Sequence, residues 1–199
     1  MINCTEESFK KSTKDHKMHI IRDEGVHRHI RFKKPRTVCY SFDLITWPGH
    51  LCITGDCGTY VFQRTEDMFS FFRGNPRQKE RLYINPGYWG EKLLSIGTNA
   101  GYKEFDEDVF KKRVADHFEQ WKEHKDLTSS QSRSLWEALE STVLSYMMDG
   151  EVQAYQSISE FEYEGFQFED FFDAGGTETY AFHYLWCLYA IVWGIQQYD

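Results

Sequence analysis

The residues able to do chemistry fall into four groups, and the most enzyme-like is the smallest. His50 follows Trp47-Pro48-Gly49, and Asp56 follows Gly55. An imidazole beside a carboxylate is the start of general acid–base catalysis, because the carboxylate orients the ring and steadies its protonated form. If the two turns lie at one end of a meander, His50 and Asp56 meet there and would support a small hydrolase or a nucleotide-modifying reaction. An aspartate in a turn, however, ordinarily accepts hydrogen bonds from nearby backbone, and that role alone accounts for Asp56.

His27 and His29 are two residues apart, so on a strand both rings leave the same face and can reach one cation. His16, His19, Asp23 and Glu24 lie close in sequence. Arg28, Arg31, Lys33 and Lys34 crowd the same stretch and repel cations, so no metal site is expected. Cys52 and Cys57 have four residues between them, wider than a CxxC redox pair and without the second pair that zinc needs. A small buried apolar residue and a turn cysteine explain them. Gly55, Gly58 and Gly175-Gly176 match neither dinucleotide nor phosphate-loop spacing, and no cofactor is expected.

The densest chemistry is anionic. Glu160, Glu162, Glu164, Glu169, Asp170 and Asp173 fall within fourteen residues, interleaved with Phe161, Tyr163, Phe166, Phe168, Phe171 and Phe172. Such a segment can imitate a phosphate track and offer aromatic anchors to a basic partner protein. It reads equally well as a core segment whose acids are only solvated. The charge balance favours a special role: residues 134–199 carry twelve acidic side chains and no Lys or Arg, whereas residues 1–40 carry ten basic against five acidic. Ordinary surfaces intersperse both signs. Residues 10–36, basic and His-rich, suggest phosphate contact. The net charge of −8 opposes direct nucleic-acid binding unless that basic face is segregated from the acids.

The elements that must position these groups follow from periodicity. Residues 38–64 hold three runs of β-branched and aromatic residues, broken at Pro48-Gly49 and at Gly55 to Gly58, the pattern of an antiparallel meander starting at Val38. A preceding hairpin, Lys17 to Lys33 turning at Asp23-Glu24-Gly25, brings the sheet to four or five strands. In its second strand Val26, Arg28, Ile30 and Phe32 share one face, with His27, His29, Arg31 and Lys33 on the other. In the meander Phe42 and Leu44 oppose Asp43 and Ile45. Thr65 is read as the cap of a helix ending at Gly74, and Glu91 to Ile96 as a helical turn. Helices follow over 105–125, 135–148 and 152–163, with a last, nearly all-apolar one over 178–197 that belongs at the centre of the fold. The expected architecture is one α+β domain over 1–199, with 1–64 mainly sheet and 65–199 mainly a helical layer packed on it. Aromatics are 17% of the chain, which excludes disorder, and no apolar run reaches the length of a bilayer span. Without an apolar N-terminal region a cytoplasmic location is expected, and no membrane partner.

The block FDLITWPGHLCITGDCGTYVFQRTEDMFSFFR (42–73), with INPGYWGEKL (84–93) and ISEFEYE (158–164), resembles a family of phage- and prophage-encoded proteins. The resemblance supplies no catalytic residues to carry over. It implies that Met can stand where this chain has Cys57, which argues against a required thiol. It also implies a context: a small acidic accessory protein acting in the host cytoplasm, in the manner of an anti-CRISPR inhibitor that occupies a DNA-binding surface. The expected partner is therefore a basic host protein or nucleoprotein complex, engaged through the acidic residues named above. Oligomeric state is not legible in the sequence.

Overall fold

The computed structural model describes residues 4–73, 81–98, 101–173 and 176–199. The fold is α+β, with an antiparallel sheet from the first half and helices from the second. It divides into two compact units: Met1–Glu104 with Tyr180–Asp199, and Phe105–Thr179.

In the first unit α1 (Glu6–Thr13) begins at a reciprocal cap. The Thr5 hydroxyl accepts from the Ser8 N–H at 3.2 Å, and the Ser8 hydroxyl accepts from the Thr5 N–H at 3.0 Å. Strands β1 (Lys17–Glu24), β2 (His27–Lys33), β3 (Phe42–Trp47), β4 (His50–Gly55), β5 (Gly58–Gln63) and β6 (Leu93–Ile96) pair antiparallel in sequence order. There are six, one more than the upper expectation. β6 lies where a helical turn is predicted; the turn is one element earlier, in α3 (Pro86–Gly90), because Asn85 accepts from the Tyr88 N–H and Pro86 needs no N–H at the first helical position.

β3 starts at Phe42 and not at Val38. Tyr40 adopts φ 56°, the Ser41 N–H closes a turn on the Val38 carbonyl at 2.9 Å, and Val38 is exposed. Gly55 permits the close approach that follows: a Cβ there would stand 2.1 Å from the Ser41 carbonyl oxygen. The helix α2 (Met68–Phe72) is capped by Asp67, whose carboxylate accepts from the Phe69 N–H at 3.0 Å, while Thr65 donates to the Asp67 carbonyl. Gly74, the predicted stop, lies outside the described residues.

Alternation sends Ile30, Phe32, Phe42, Leu44, Leu51, Ile53, Tyr60 and Phe62 to one face, where all are buried. The helix α7 (Phe182–Tyr198) covers that face. It starts later than predicted, because Glu178–Tyr180 forms a short strand, β8, paired with β7 (Lys103–Phe105). Trp186, Cys187, Leu188, Ile191, Val192 and Ile195 of α7 are buried, as an all-apolar helix requires. Helix and sheet meet closely at Gly194, where a Cβ would stand 2.8 Å from Leu44 Cδ1 and 3.1 Å from the Phe32 ring.

The second unit is helical. α4 (Glu107–Lys125) is capped by Asp106. α5 (Ser129–Leu139) opens on a Thr128–Gln131 capping box and runs into a π-helical turn, Glu140–Leu144. A single 3-10 turn, Met147–Asp149, then leads through Gly150 to α6 (Glu151–Glu160). Gly150 holds φ 112°, a conformation open to glycine at little cost. Phe110, Val114 and Phe118 of α4 pack with Leu135, Leu139, Val143, Ala154 and Ile158 into a core separate from that of the sheet.

Candidate functional site

Charge follows the two units. The sheet unit carries 17 Lys and Arg against 13 Asp and Glu, a net of +4; the helical unit carries 6 against 18, a net of −12. The compact units sharpen the gradient read from the sequence, since Asp106 to Asp126 also contributes acids to the negative unit.

In the helical unit Glu160, Glu162, Glu164, Glu169, Asp170 and Asp173 are all exposed. Among the described residues none of the six sits in an ion pair, and Glu160 accepts from Gln156 Nε2 at 2.7 Å. The aromatics between them have another role. Phe166 and Phe171 are buried, while Phe161, Tyr163 and Phe168 pack against the same core. Alternation separates the two chemistries: carboxylates face water and rings face inward. The segment is fixed from α4, where Arg113 donates to the Phe171 carbonyl and lies over the Phe171 ring at 5.0 Å, and Trp121 meets Phe166 edge-on at 5.6 Å. Two acids are held in the left-handed region: Glu164 at φ 47°, in a tight turn closed by Tyr163 and Phe166, and Asp170 at φ 51°. Of the aromatic anchors expected there, Phe172 alone is exposed.

Exposed apolar side chains occur instead at the corner between α5 and α6. Tyr146 is 51% exposed, Met148 72% and Val152 71%. Tyr146 also lines a groove of about 230 Å³ with Gln153, Gln156, Ser157 and Glu160. The signal for this corner is present in the sequence, because Tyr146 and Met148 flank Met147 and so fall off the buried stripe Leu135, Leu139, Val143, Met147.

The structure places His50 and Asp56 apart. β4 runs from His50 to Gly55, so its length, roughly 16 Å at strand rise, separates them. His50 Nδ1 bonds the Pro48 carbonyl at 2.8 Å and its ring stacks on Trp47 at 4.9 Å, whereas Asp56 accepts from the Tyr40 N–H at 2.7 Å. His50 serves its own turn, and Asp56 holds the turn at Tyr40. The imidazole–carboxylate pair that does form is His29 Nε2 with Asp43 Oδ2 at 2.8 Å on the outer face of the sheet. Arg31 also clamps Asp43 through Nε and Nη2, each at 2.8 Å. Burial works to raise the Asp43 pKa, but the hydrogen bonds from Arg31 and His29 and their charges outweigh it and hold the carboxyl below its ordinary range. His27 stays exposed on the same face, and among the described residues no group of three metal-ligating side chains assembles.

No family model, curated protein or solved structure matches the chain. Four of the five cysteines are unsuited to nucleophilic work. Burial pushes the Cys57 thiol up to about 12 and Cys4 to about 11, and raises Cys52 and Cys187 as well. Cys39 is the exposed thiol. Among the described residues no helix is long and apolar enough to cross a membrane.

Proposed function

We propose that the protein is a non-enzymatic binding protein whose acidic helical unit engages a basic surface of a host protein or nucleoprotein complex. In the phage context that the resemblance implies, this is a counter-defence inhibitor presenting carboxylates where a nucleic acid would lie. The observation that carries the reading is the concentration of charge: −12 in one compact unit, with six exposed carboxylates in fourteen residues and none of them in an ion pair among the described residues. Solubility does not require so one-sided a surface. The exposed Tyr146, Met148 and Val152 supply apolar contact area that the buried phenylalanines do not. His50 and Asp56, being apart, give an enzymatic alternative no geometric support.

The test is capture from host lysate by immobilised protein, compared with a variant in which Glu160, Glu162, Glu164, Glu169 and Asp170 are all Lys. Far-UV circular dichroism of the variant establishes that it is folded. The partner should be lost from the folded variant and eluted from the original protein by raised salt. A partner retained equally by both overturns the electrostatic reading.

A further inference from the structure

The outer face of the six-stranded sheet is the second unassigned surface, and it has the opposite sign. Register fixes its composition row by row. Lys17 pairs with Lys33; His19, Arg31, Asp43, Thr54 and Thr59 form the next row; Arg22, His29, Ile45, Cys52 and Val61 the third; beyond it Glu24 pairs with His27, and Trp47, His50 and Gln63 pair in turn. None of these residues is buried, in contrast to the opposite face, which α7 covers. Four cations and four imidazoles thus share one open surface with two carboxylates. Glu24 is taken by Arg22 at 2.6 Å and Asp43 by Arg31.

We propose that this face binds single-stranded nucleic acid. Three features of a strand-binding sheet coincide on it. A cleft of about 310 Å³, whose lining includes Arg31, Lys33, Ser41, Asp43 and Thr54, offers the Lys33 ammonium and the Ser41 and Thr54 hydroxyls to a phosphate, while Arg31 neutralises Asp43. Ile45, Cys52 and Val61 run as a half-buried apolar strip across the middle. At the far side Trp47, 37% exposed, stacks parallel to His50 with the planes 9° apart, a planar platform of the kind on which unstacked bases rest. The net charge of −8 does not describe this face: its rows hold four cations against two carboxylates, and the sheet unit as a whole is +4. An open sheet selects single strands, since their bases can splay onto rings that a duplex hides. The inference is independent of the role given to the acidic unit.

Fluorescence anisotropy with the intact protein tests it, using a labelled oligothymidylate, an oligouridylate and a duplex of equal length between 50 and 200 mM salt. The expected result is binding to a single strand with a log–log salt slope of about −0.7 per phosphate contacted. Trp47→Ala should weaken it about tenfold, and Trp47→Phe should restore most of the loss. Lys17→Glu with Lys33→Glu should abolish binding. Lys11→Glu with Lys14→Glu, an equal charge change at α1, should have at most a minor effect. Absence of binding at 50 mM salt, preference for the duplex, equal losses from both lysine pairs, or equal weakness of the two Trp47 variants would each overturn the proposal.

Discussion

Arg28 is the residue most exposed to a decisive perturbation, because it is a charge placed on the apolar face of a strand. Its side chain is 10% exposed, lies over the Phe69 ring at 4.6 Å, and donates to both carboxylate oxygens of Asp67 at 2.9 and 3.3 Å; its Nε has no partner. Asp67→Asn keeps an acceptor for the Phe69 N–H and so preserves the cap of α2 while removing the negative charge. The guanidinium is then left buried against rings with a neutral partner. Breaking a fully buried pair costs about 3–5 kcal/mol; Asp67 is 31% exposed, so water recovers part of this and a loss of about 2–3 kcal/mol is expected. Arg28→Met removes the buried charge together with its need for a partner and keeps most of the contact with Phe69 and Tyr198. It should cost about 1 kcal/mol or less.

The ordering is the sensitive quantity. Urea unfolding read by hydrogen exchange of peptides from β2 to β4 reports the sheet unit alone. Asp67→Asn should be the more damaging single change, and adding it to Arg28→Met should cost little more. The pH dependence follows the same charge. Burial raises the Asp67 pKa, but hydrogen bonds from Arg28 and the Phe69 N–H and the Arg28 charge more than reverse this, so the folded value lies below the ordinary one of about 3.9. A depressed folded pKa gives stability that is present above the unfolded value and lost as pH falls through the folded one. The gap between the original protein and Asp67→Asn should therefore close below about pH 4. If Arg28→Met proves as costly as Asp67→Asn, or the gap persists in acid, the pair does not behave as a buried charge held by its partner.

Gly194→Ala gains up to about 1 kcal/mol of helix propensity, but its Cβ meets a Phe32 ring already stacked on Phe42 at 4.8 Å. A net loss of about 1–2 kcal/mol is expected in denaturant unfolding, and a stabilised variant would show that α7 can lift from the sheet. Glu164→Asn gives Asn-Gly at two positive-φ positions, the favoured pair for such a turn, and should stabilise the helical unit by about 0.5–1 kcal/mol in thermal unfolding. With a maleimide at neutral pH, Cys39 should react fast, and Cys57 and Cys187 only as the protein unfolds; rapid reaction of Cys57 would contradict its burial.

Side-chain alternation made the faces of the sheet legible: Arg28, Ile30 and Phe32 were assignable to one side of β2 and His29 and Arg31 to the other, and Asp43 to the face opposite Phe42. What alternation cannot supply is register. Whether a histidine finds Asp43 or Asp56 depends on how residues 34–41 turn, and that turn rests on Tyr40 at positive φ, which residue types do not announce. β6 escapes the sequence for a related reason, since it joins the sheet edge far along the chain from β5 and carries only a four-residue pattern, too short to tell from a helical turn. The acidic segment shows the converse. Its carboxylates were readable one by one, but their interleaved aromatics have two uses, core or anchor, and only the presence of α4 beneath them decides between these. With the other rings packed on the core, the exposed apolar contacts that the acidic unit offers a partner are Tyr146, Met148, Val152 and Phe172. Tyr146→Ala with Met148→Ala should then weaken capture while leaving its salt dependence intact, whereas reversal of the carboxylates removes both.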